Sequence, residues 1–195
     1  LRALSVETLK VTFGESGEHF WRLSHGIDER IVVPDRDAKS ISHETTFSVD
    51  IADIDSLRSW LIDLTDQVAV RLRRHHRVGR TVQIKLRFSD FSTITRSRTL
   101  PKPTDVTQEI WQAANDLLTQ AYQSSRKPGS KSIRLIGVGV SGLDQSRAVQ
   151  RMLFDDPDEQ QHVKHKELDR VTDAVRQRFG SAALKRASGN DATKR

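Results

Sequence analysis

Cysteine is absent from all 195 residues of the sequence. Disulfide scaffolds, thiolate zinc sites and cysteine nucleophiles are therefore excluded, and a reducing compartment, the cytoplasm, is expected. Apolar runs are short as well. None reaches the length of about 18 residues typical of a membrane-spanning helix, so no membrane partner is expected. The N-terminus lacks a signal-peptide pattern and begins at Leu1 without a methionine, which favours a fragment of a longer protein.

Acidic residues are scarce where basic residues are most frequent. Lys and Arg total 32 in the chain and Asp and Glu total 26, which gives a formal net charge of +6. Between residues 71 and 102 a single acid, Asp90, accompanies ten cations: Arg71, Arg73, Arg74, Arg77, Arg80, Lys85, Arg87, Arg96, Arg98 and Lys102. This balance permits nucleic acid or an anionic membrane as a partner and does not choose between them.

Clusters of residues that perform catalysis or hold metals are also missing from the sequence. The histidine pairs at 75–76 and at 162 and 165 have no cysteine or carboxylate partner at ligand spacing, so no metal site is predicted. Asp53 or Asp55 is interpreted as a helix cap or first-turn charge rather than as a catalytic acid. We find no nucleophile–base pair and no phosphate loop.

The middle of the chain shows the clearest periodicity. Alternating or β-rich segments predict strands over 41–49, 81–88, 91–100 and 133–140. An apolar stripe predicts a helix over 54–75, which Gly79 ends, and a second helix is predicted with Thr104 as its cap. The two prolines of 101–103 are expected to break the third strand, and Gly142 is expected to close the fourth.

The order strand, helix, strand, strand, helix, strand predicts an α+β fold, in which a four-stranded antiparallel sheet carries two helices on one face. The other face is then open to water. By alternation it carries Lys85 and Arg87, and we expect the ten cations to converge there and to contact a phosphate backbone. The alternative is a solvated edge strand whose charge only discourages aggregation. Gly137 and Gly139 either flatten this face or mark a bulge or small-residue packing.

Alternation along the third strand separates two sets of candidate residues. The hydroxyl-bearing residues Thr93, Thr95 and Ser97 share one side, whereas Arg96 and Arg98 share the other. If both sets contact a nucleic-acid backbone, the strand needs a twist or a bulge, or the arginines must reach around its edge.

Short helices and polar segments flank the predicted sheet. Ser5 is predicted to cap a helix that Gly14 ends, and a second helix is predicted over 15–25. The expected regions are a helical region at 1–33, a linker at 34–38, the sheet domain at 39–143, and a largely flexible tail at 144–195 with a helix over 164–179.

Residues 150–154, with the sequence QRMLF, form the sharpest short motif. Leu153 and Phe154 are apolar neighbours that follow the last predicted strand and precede an acidic stretch. Because an exposed apolar pair is costly unless something covers it, one interpretation is a motif that docks in a partner's pocket. The other is a tail helix that packs onto its own domain.

Several segments closely resemble the Y-family translesion DNA polymerases, most closely the bacterial DNA polymerase IV (DinB-like) type. Residues 39–47, 86–99 and 133–141 are similar to the little-finger domain of that family, 13–28 to the end of its thumb, and 150–154 to its sliding-clamp motif. The family's palm holds two Mg²⁺ ions through acidic motifs that this sequence lacks. The chain alone is therefore expected to bind no cofactor and not to polymerise.

The resemblance implies a role in error-prone, lesion-bypass DNA synthesis. The chain is expected to act as a monomer that grips the backbone of primer-template DNA and docks on the sliding clamp. The residues expected at DNA are Lys39, Ser40, Ser42, Arg80, Lys85, Arg87, Thr93, Thr95, Arg96, Ser97 and Arg98. The residues expected at the clamp are Gln150, Met152, Leu153 and Phe154.

Two other classes of function stay open on the sequence alone. A stand-alone nucleic-acid-binding or adaptor protein built from the same domain would have a start codon just before Leu1. The polymerase hypothesis instead predicts an in-frame palm, with its acidic motifs, upstream of this segment. A purely structural protein-interaction domain would bind no DNA.

Overall fold

The computed structural model describes residues 1–34, 37–125, 132–145 and 159–186. The chain divides into two compact units, Leu1–Asp37 and Ala38–Arg195. None of the helices in the described ranges is both long enough and apolar enough to cross a membrane.

The first unit is a pair of short helices, α1 (Val6–Phe13) and α2 (Ser16–Ser24). As predicted, Ser5 caps α1, because its hydroxyl accepts a hydrogen bond from the Thr8 backbone N–H at 3.2 Å. Gly14 ends α1 with a φ of 60°, in the left-handed region. The helices approach closely at Gly17, where an added Cβ would lie 2.3 Å from the Leu9 carbonyl oxygen.

The second unit contains the predicted α+β fold. Its elements are β1 (Ser40–Ile51), α3 (Ile54–Arg74), β2 (Arg77–Phe88), β3 (Thr93–Thr104), α4 (Thr107–Ser125), β4 (Ile133–Gln145) and α5 (Glu159–Phe179). The four strands form one antiparallel sheet in the order β1-β4-β2-β3, so β1 and β3 are its edges. Helices α3 and α4 pack side by side on one face, which confirms the predicted fold class.

One apolar core lies between these two helices and the covered face of the sheet. The predicted stripe of α3 is buried at Leu57, Leu61, Leu64, Val68 and Leu72, and its Trp60 packs against Phe47 at a ring-centroid distance of 5.4 Å. Every alternate residue of β2 from Val82 to Phe88 faces this core. Each fully buried Leu or Val contributes about 1.5–3 kcal/mol to stability, so the core fixes which face of the sheet stays open.

The end of α3 agrees with the predicted residue 75 to within one position, but three predicted end signals are wrong: Gly79, the two prolines of 101–103 and Gly142. Helix α3 ends at Arg74 because His76 takes the left-handed conformation, with a φ of 50°, and Gly79 instead lies within β2. Strand β3 continues through Pro101 and Pro103, which an edge strand tolerates because one side of it makes no ladder hydrogen bonds. Strand β4 continues past Gly142 to Gln145.

The start of α4 also differs from the prediction. The helix begins at Thr107, three residues beyond the predicted cap Thr104. The Thr104 hydroxyl accepts a hydrogen bond from the Val106 backbone N–H, which shapes the turn before the helix. The backbone N–H of Thr107, which has no acceptor within the helix because it lies in the first turn, donates to the carboxylate of Asp169 on α5 at 2.8 Å. A residue distant in sequence therefore caps α4.

Helix α5 is longer than the predicted helix and presents an unexpected face to the domain. Its apolar residues Leu168 and Val171 are each 52% exposed, whereas Asp169 and Thr172 are buried. The contact with the rest of the unit is therefore polar. It is built from a group of ion pairs that we call the clasp, formed by Asp66, Arg73, Asp169, Asp173, Arg176 and Arg186.

Arg73 lies at the centre of the clasp, with only 14% of its side chain exposed. Its Nε and Nη2 atoms donate to both carboxylate oxygens of Asp173, and its Nη1 donates to Asp169 at 3.1 Å. Burial by itself lowers the pKa of Arg73, but the hydrogen bond to Asp173 and the negative charges of Asp169 and Asp173 outweigh this effect and raise the pKa overall. Arg73 is therefore a charged structural residue.

Candidate nucleic-acid interface

The strand register defines which residues share the open face of the sheet. Lys85 pairs with Thr95 on β3 and with Gly137 on β4, and Gly137 pairs in turn with Glu44 on β1. Residues directly opposite each other in antiparallel strands lie on the same face, and alternate residues of each strand repeat that face. The intervening residues of each strand lie on the side of the sheet that bears the core. The row formed by Glu44, Gly137, Lys85 and Thr95 therefore lies on the side of the sheet that no helix covers.

Hydroxyl groups dominate the open face. Nine serines and threonines occupy its positions: Ser40, Ser42, Thr46, Thr81, Thr93, Thr95, Ser97, Thr99 and Ser141. The hydroxyls of Thr81 and Thr99 lie 3.2 Å apart across β2 and β3. Because a hydroxyl can donate to a phosphate oxygen without reading a base, this surface is chemically suited to a nucleic-acid backbone.

Two glycines form the floor of this face. Gly137 and Gly139 both occupy regular ladder positions, and the register shifts of β4 lie elsewhere. The bulge interpretation is therefore wrong. An added Cβ would lie 2.8 Å from the Glu44 Cβ at Gly137 and 3.2 Å from the Ser42 Cβ at Gly139. Glycine at these positions keeps the surface low and lets long side chains from neighbouring strands cross it.

Lys85 and Arg87 are the cations that project from β2 on this face. The Lys85 Nζ lies 3.0 Å from Oε2 of Glu44, and the two side chains are 34% and 50% exposed. Arg87 donates from Nε to the Thr93 hydroxyl at 3.0 Å. Both cations are thus held over the sheet by side chains of other strands while remaining accessible to solvent.

The other predicted cations do not converge on the open face. Arg96 and Arg98 pair with core-facing Ile84 and Val82, as strand parity predicts, so they project from the helix-bearing side of the edge strand. Arg98 forms an ion pair with Asp116 of α4 at 2.9 Å. If Arg96 and Arg98 contact DNA bound on the open face, their side chains must reach it around the edge of β3.

Two further cations of the basic segment serve the fold. Arg80 donates to the backbone carbonyl oxygens of Leu100 and Pro101, where the pairing of β2 with β3 slips. Arg73 is buried in the clasp, as described above. The expectation that the whole basic segment converges on one surface is therefore wrong, because that segment includes the end of α3 as well as two strands.

The register places further residues on the open face that are not among the candidates predicted from the sequence. Glu44, Thr46, Thr81, Thr99 and Ser141 belong to this face. The period-two run of polar residues at 40, 42, 44 and 46 carries this signal, because strand alternation alone places all four on one side. Lys39 is exposed directly before this run. The predicted clamp residues Gln150, Met152, Leu153 and Phe154 lie outside the described residues.

Comparisons with known proteins agree on one group. Residues 38–153 match the impB/mucB/samB family C-terminal domain. DNA polymerase IV of Desulfatibacillum aliphaticivorans is 37% identical over 189 residues, which are 96% of this chain and 46% of that protein. DNA polymerase IV 1 of Mesorhizobium japonicum is 40% identical over 187 residues, or 94% of this chain and 40% of that protein. The chain thus spans less than half the length of these relatives.

A solved structure shares the fold. A chimeric Y-family DNA polymerase superposes with a TM-score of 0.55 at 13% sequence identity, covering 72% of this chain and 39% of that chain. At this identity the match concerns the fold alone.

Proposed function

The chain belongs to the impB/mucB/samB family through its C-terminal domain, and on that premise we propose that it is the DNA-holding part of a lesion-bypass DNA polymerase of the DNA polymerase IV type. In this proposal the open face of the sheet grips the backbone of primer-template DNA. The observation that carries it is a polar surface with nine hydroxyls, two cations and a glycine floor, directly opposite a fully packed core.

The chemistry of this surface favours backbone contact over base reading. Side chains that read bases in the major groove project from a helix or a two-stranded ribbon. The open face is instead a broad four-stranded surface whose side chains are mostly those of Ser, Thr and Gly, which are short. It also offers no aromatic residue at its described ladder positions on which a base could stack. We therefore expect binding with little sequence preference.

A salt titration with the whole chain tests the proposal. Binding of a fluorescent primer-template duplex should weaken steeply between 50 and 200 mM salt, because each neutralised phosphate releases counterions, with a slope of about −0.9 per contact. Scrambling the duplex sequence should leave the affinity nearly unchanged. Binding that is absent at low salt, or insensitive to salt, would contradict the proposal and favour a protein-interaction domain.

We further propose that residues 150–154 dock on the sliding clamp. The support is the sequence motif and its resemblance to the clamp motif of the family. The double substitution Leu153→Ala with Phe154→Ala should abolish capture by a purified bacterial clamp and leave DNA binding unchanged, since neither residue is among those proposed to contact DNA. Loss of the folded state in this variant would instead assign the pair to the core.

Polymerisation, Mg²⁺ binding and cytoplasmic location belong in this proposal to the longer protein. In the described ranges no group of three or more His, Cys, Asp or Glu side chains is placed to hold a metal ion, so the residues here do not fit a two-metal site. The chain alone should therefore incorporate no deoxynucleotide in the presence of Mg²⁺. Separately, we propose that the chain is a monomer, which sedimentation would test.

A further inference from the structure

We infer that Glu44 holds Lys85 in an exchangeable ion pair across Gly137 and thereby limits the affinity of the open face for a nucleic-acid backbone. This inference rests on the proposed function. In the four ladder rows that cross β1, β4, β2 and β3 between Ser40 and Thr46 of β1, Glu44 is the only acidic residue. It therefore opposes the binding of phosphate on a surface whose other residues are hydroxyl-bearing, glycine, cationic or uncharged, the last being Gln83 and Leu135.

The geometry of the row explains why this pair forms. Glu44 and Lys85 lie on β1 and β2, which are separated by β4, so their backbones are roughly two strand spacings, or about 9.5 Å, apart. Between them lies Gly137, which has no side chain to fill the gap. The two long side chains meet above it, with Nζ and Oε2 at 3.0 Å.

The next row of the same face is a natural comparison. There Arg87 and Thr46 flank Leu135 of β4, whose side chain occupies the central position. Arg87 does not cross the strand but turns to Thr93 on the opposite side. A glycine in the middle strand and an acid beyond it are thus the two features that draw Lys85 away from the free surface.

The exposure of the pair makes it exchangeable. At 34% and 50% exposure both groups remain solvated, and such pairs contribute little net free energy in water. A phosphate of DNA can therefore replace the carboxylate as the partner of Lys85. Complex formation must then separate Lys85 from Glu44 and leave the carboxylate close to the phosphate, and both effects weaken binding.

The test compares Glu44→Gln with the parent chain, using a fluorescent primer-template duplex as the probe. Glu44→Gln keeps the shape of the side chain and removes its charge, so we expect binding about threefold to fivefold tighter. The salt slope should steepen by up to about 0.9, because Lys85 becomes fully available to a phosphate. Glu44→Ser, which copies the hydroxyl at position 42, should give the same direction of change.

Two controls isolate the role of the pair. Glu167→Gln removes one charge from an exposed position of α5 and should leave the affinity within about twofold of the parent, since distant surface charges are screened. In a Lys85→Met background, Glu44→Gln should no longer steepen the salt slope. Thermal unfolding of each variant verifies that the domain stays folded.

The outcomes separate this inference from the proposed function. If the parent chain binds no DNA at low salt, both fail. If the parent binds and Glu44→Gln binds equally or more weakly, only the inference fails. If Glu44→Gln binds more tightly but the salt slope changes equally with and without Lys85, Glu44 acts by direct repulsion and the ion-pair mechanism is wrong.

Discussion

Charged side chains occur both in the clasp and on the open face of the sheet, but their surroundings differ. In the clasp, Arg73 is 14% exposed and Asp169 3% exposed, and each of these two residues has at least two charged or backbone partners. On the open face, Lys85 is 34% exposed and has one carboxylate partner. Buried charges need complete pairing, whereas exposed charges stay available to a ligand. The clasp is therefore suited to holding the fold, and in the proposed function the open face is the surface that binds DNA.

The largest effect is expected from a substitution that breaks the clasp. Asp169→Ala should destabilise the domain by about 3–5 kcal/mol, because it leaves the buried Arg73 charge and the Thr107 N–H without their shared acceptor. Chemical denaturation monitored by circular dichroism measures this change. Glu167→Ala, two residues away on the exposed side of α5, should stay within about 0.5 kcal/mol of the parent. Equal stability of the two variants would show that the clasp does not hold the fold.

The second prediction concerns the two sides of the sheet. Lys85→Ala with Arg87→Ala should weaken DNA binding about thirtyfold, since two charged contacts at about 1 kcal/mol each are lost from the open face. Arg96→Ala with Arg98→Ala should also weaken binding, but only about fivefold or less, because these side chains project from the other side of β3. Neither pair should unfold the domain. The reverse order of the two effects would place the DNA along the edge strand instead.

The smallest effect is expected at Asp53, which caps a helix from the surface, whereas Asp169 caps α4 from a buried position. Asp53 caps α3 from an exposed position, and its carboxylate accepts a hydrogen bond from the Ser56 N–H at 2.7 Å. That backbone hydrogen bond lowers the pKa of Asp53 below its ordinary value of 3.8. Because the pKa of Asp53 is lower in the folded than in the unfolded protein, the ionised carboxylate stabilises the fold at pH values above the unfolded pKa. This stabilisation is lost as the pH falls through the pKa of the folded state.

Asp53→Ala should therefore lower the melting temperature by a few degrees at pH 7, and the difference from the parent should shrink as the pH falls below about 4. Asp53→Asn retains a capping oxygen and should stay close to the parent at pH 7. A difference between Asp53→Ala and the parent that persists unchanged at pH 2 would rule out the charged cap.

Local patterns were sufficient to predict much of this fold. The alternation of β2 and the apolar stripe of α3 were read correctly, because each depends only on the period of its own element. The same parity correctly separated Thr93, Thr95 and Ser97 from Arg96 and Arg98. The hydroxyl-rich face could be predicted for the same reason.

Features that depend on strand order or on distant partners were not predictable in this way. Pro101 and Pro103 are compatible with a strand only because β3 is an edge, and the order of the strands is not contained in any local pattern. Arg73 and Asp169 lie 96 residues apart, and Lys85 and Glu44 lie 41 apart. A run of basic residues therefore indicates a charged segment but not which of its members face a ligand.

The most direct test of the central claim is a residue-by-residue map of the DNA site. In a titration of the isotope-labelled chain with primer-template DNA, followed by amide NMR, we expect the largest shifts at 40–46, 81–87, 93–99 and 137–141. Amides of α5 and of the outer surfaces of α3 and α4 should change little. Shifts confined to those helices, with the open face unaffected, would contradict the account.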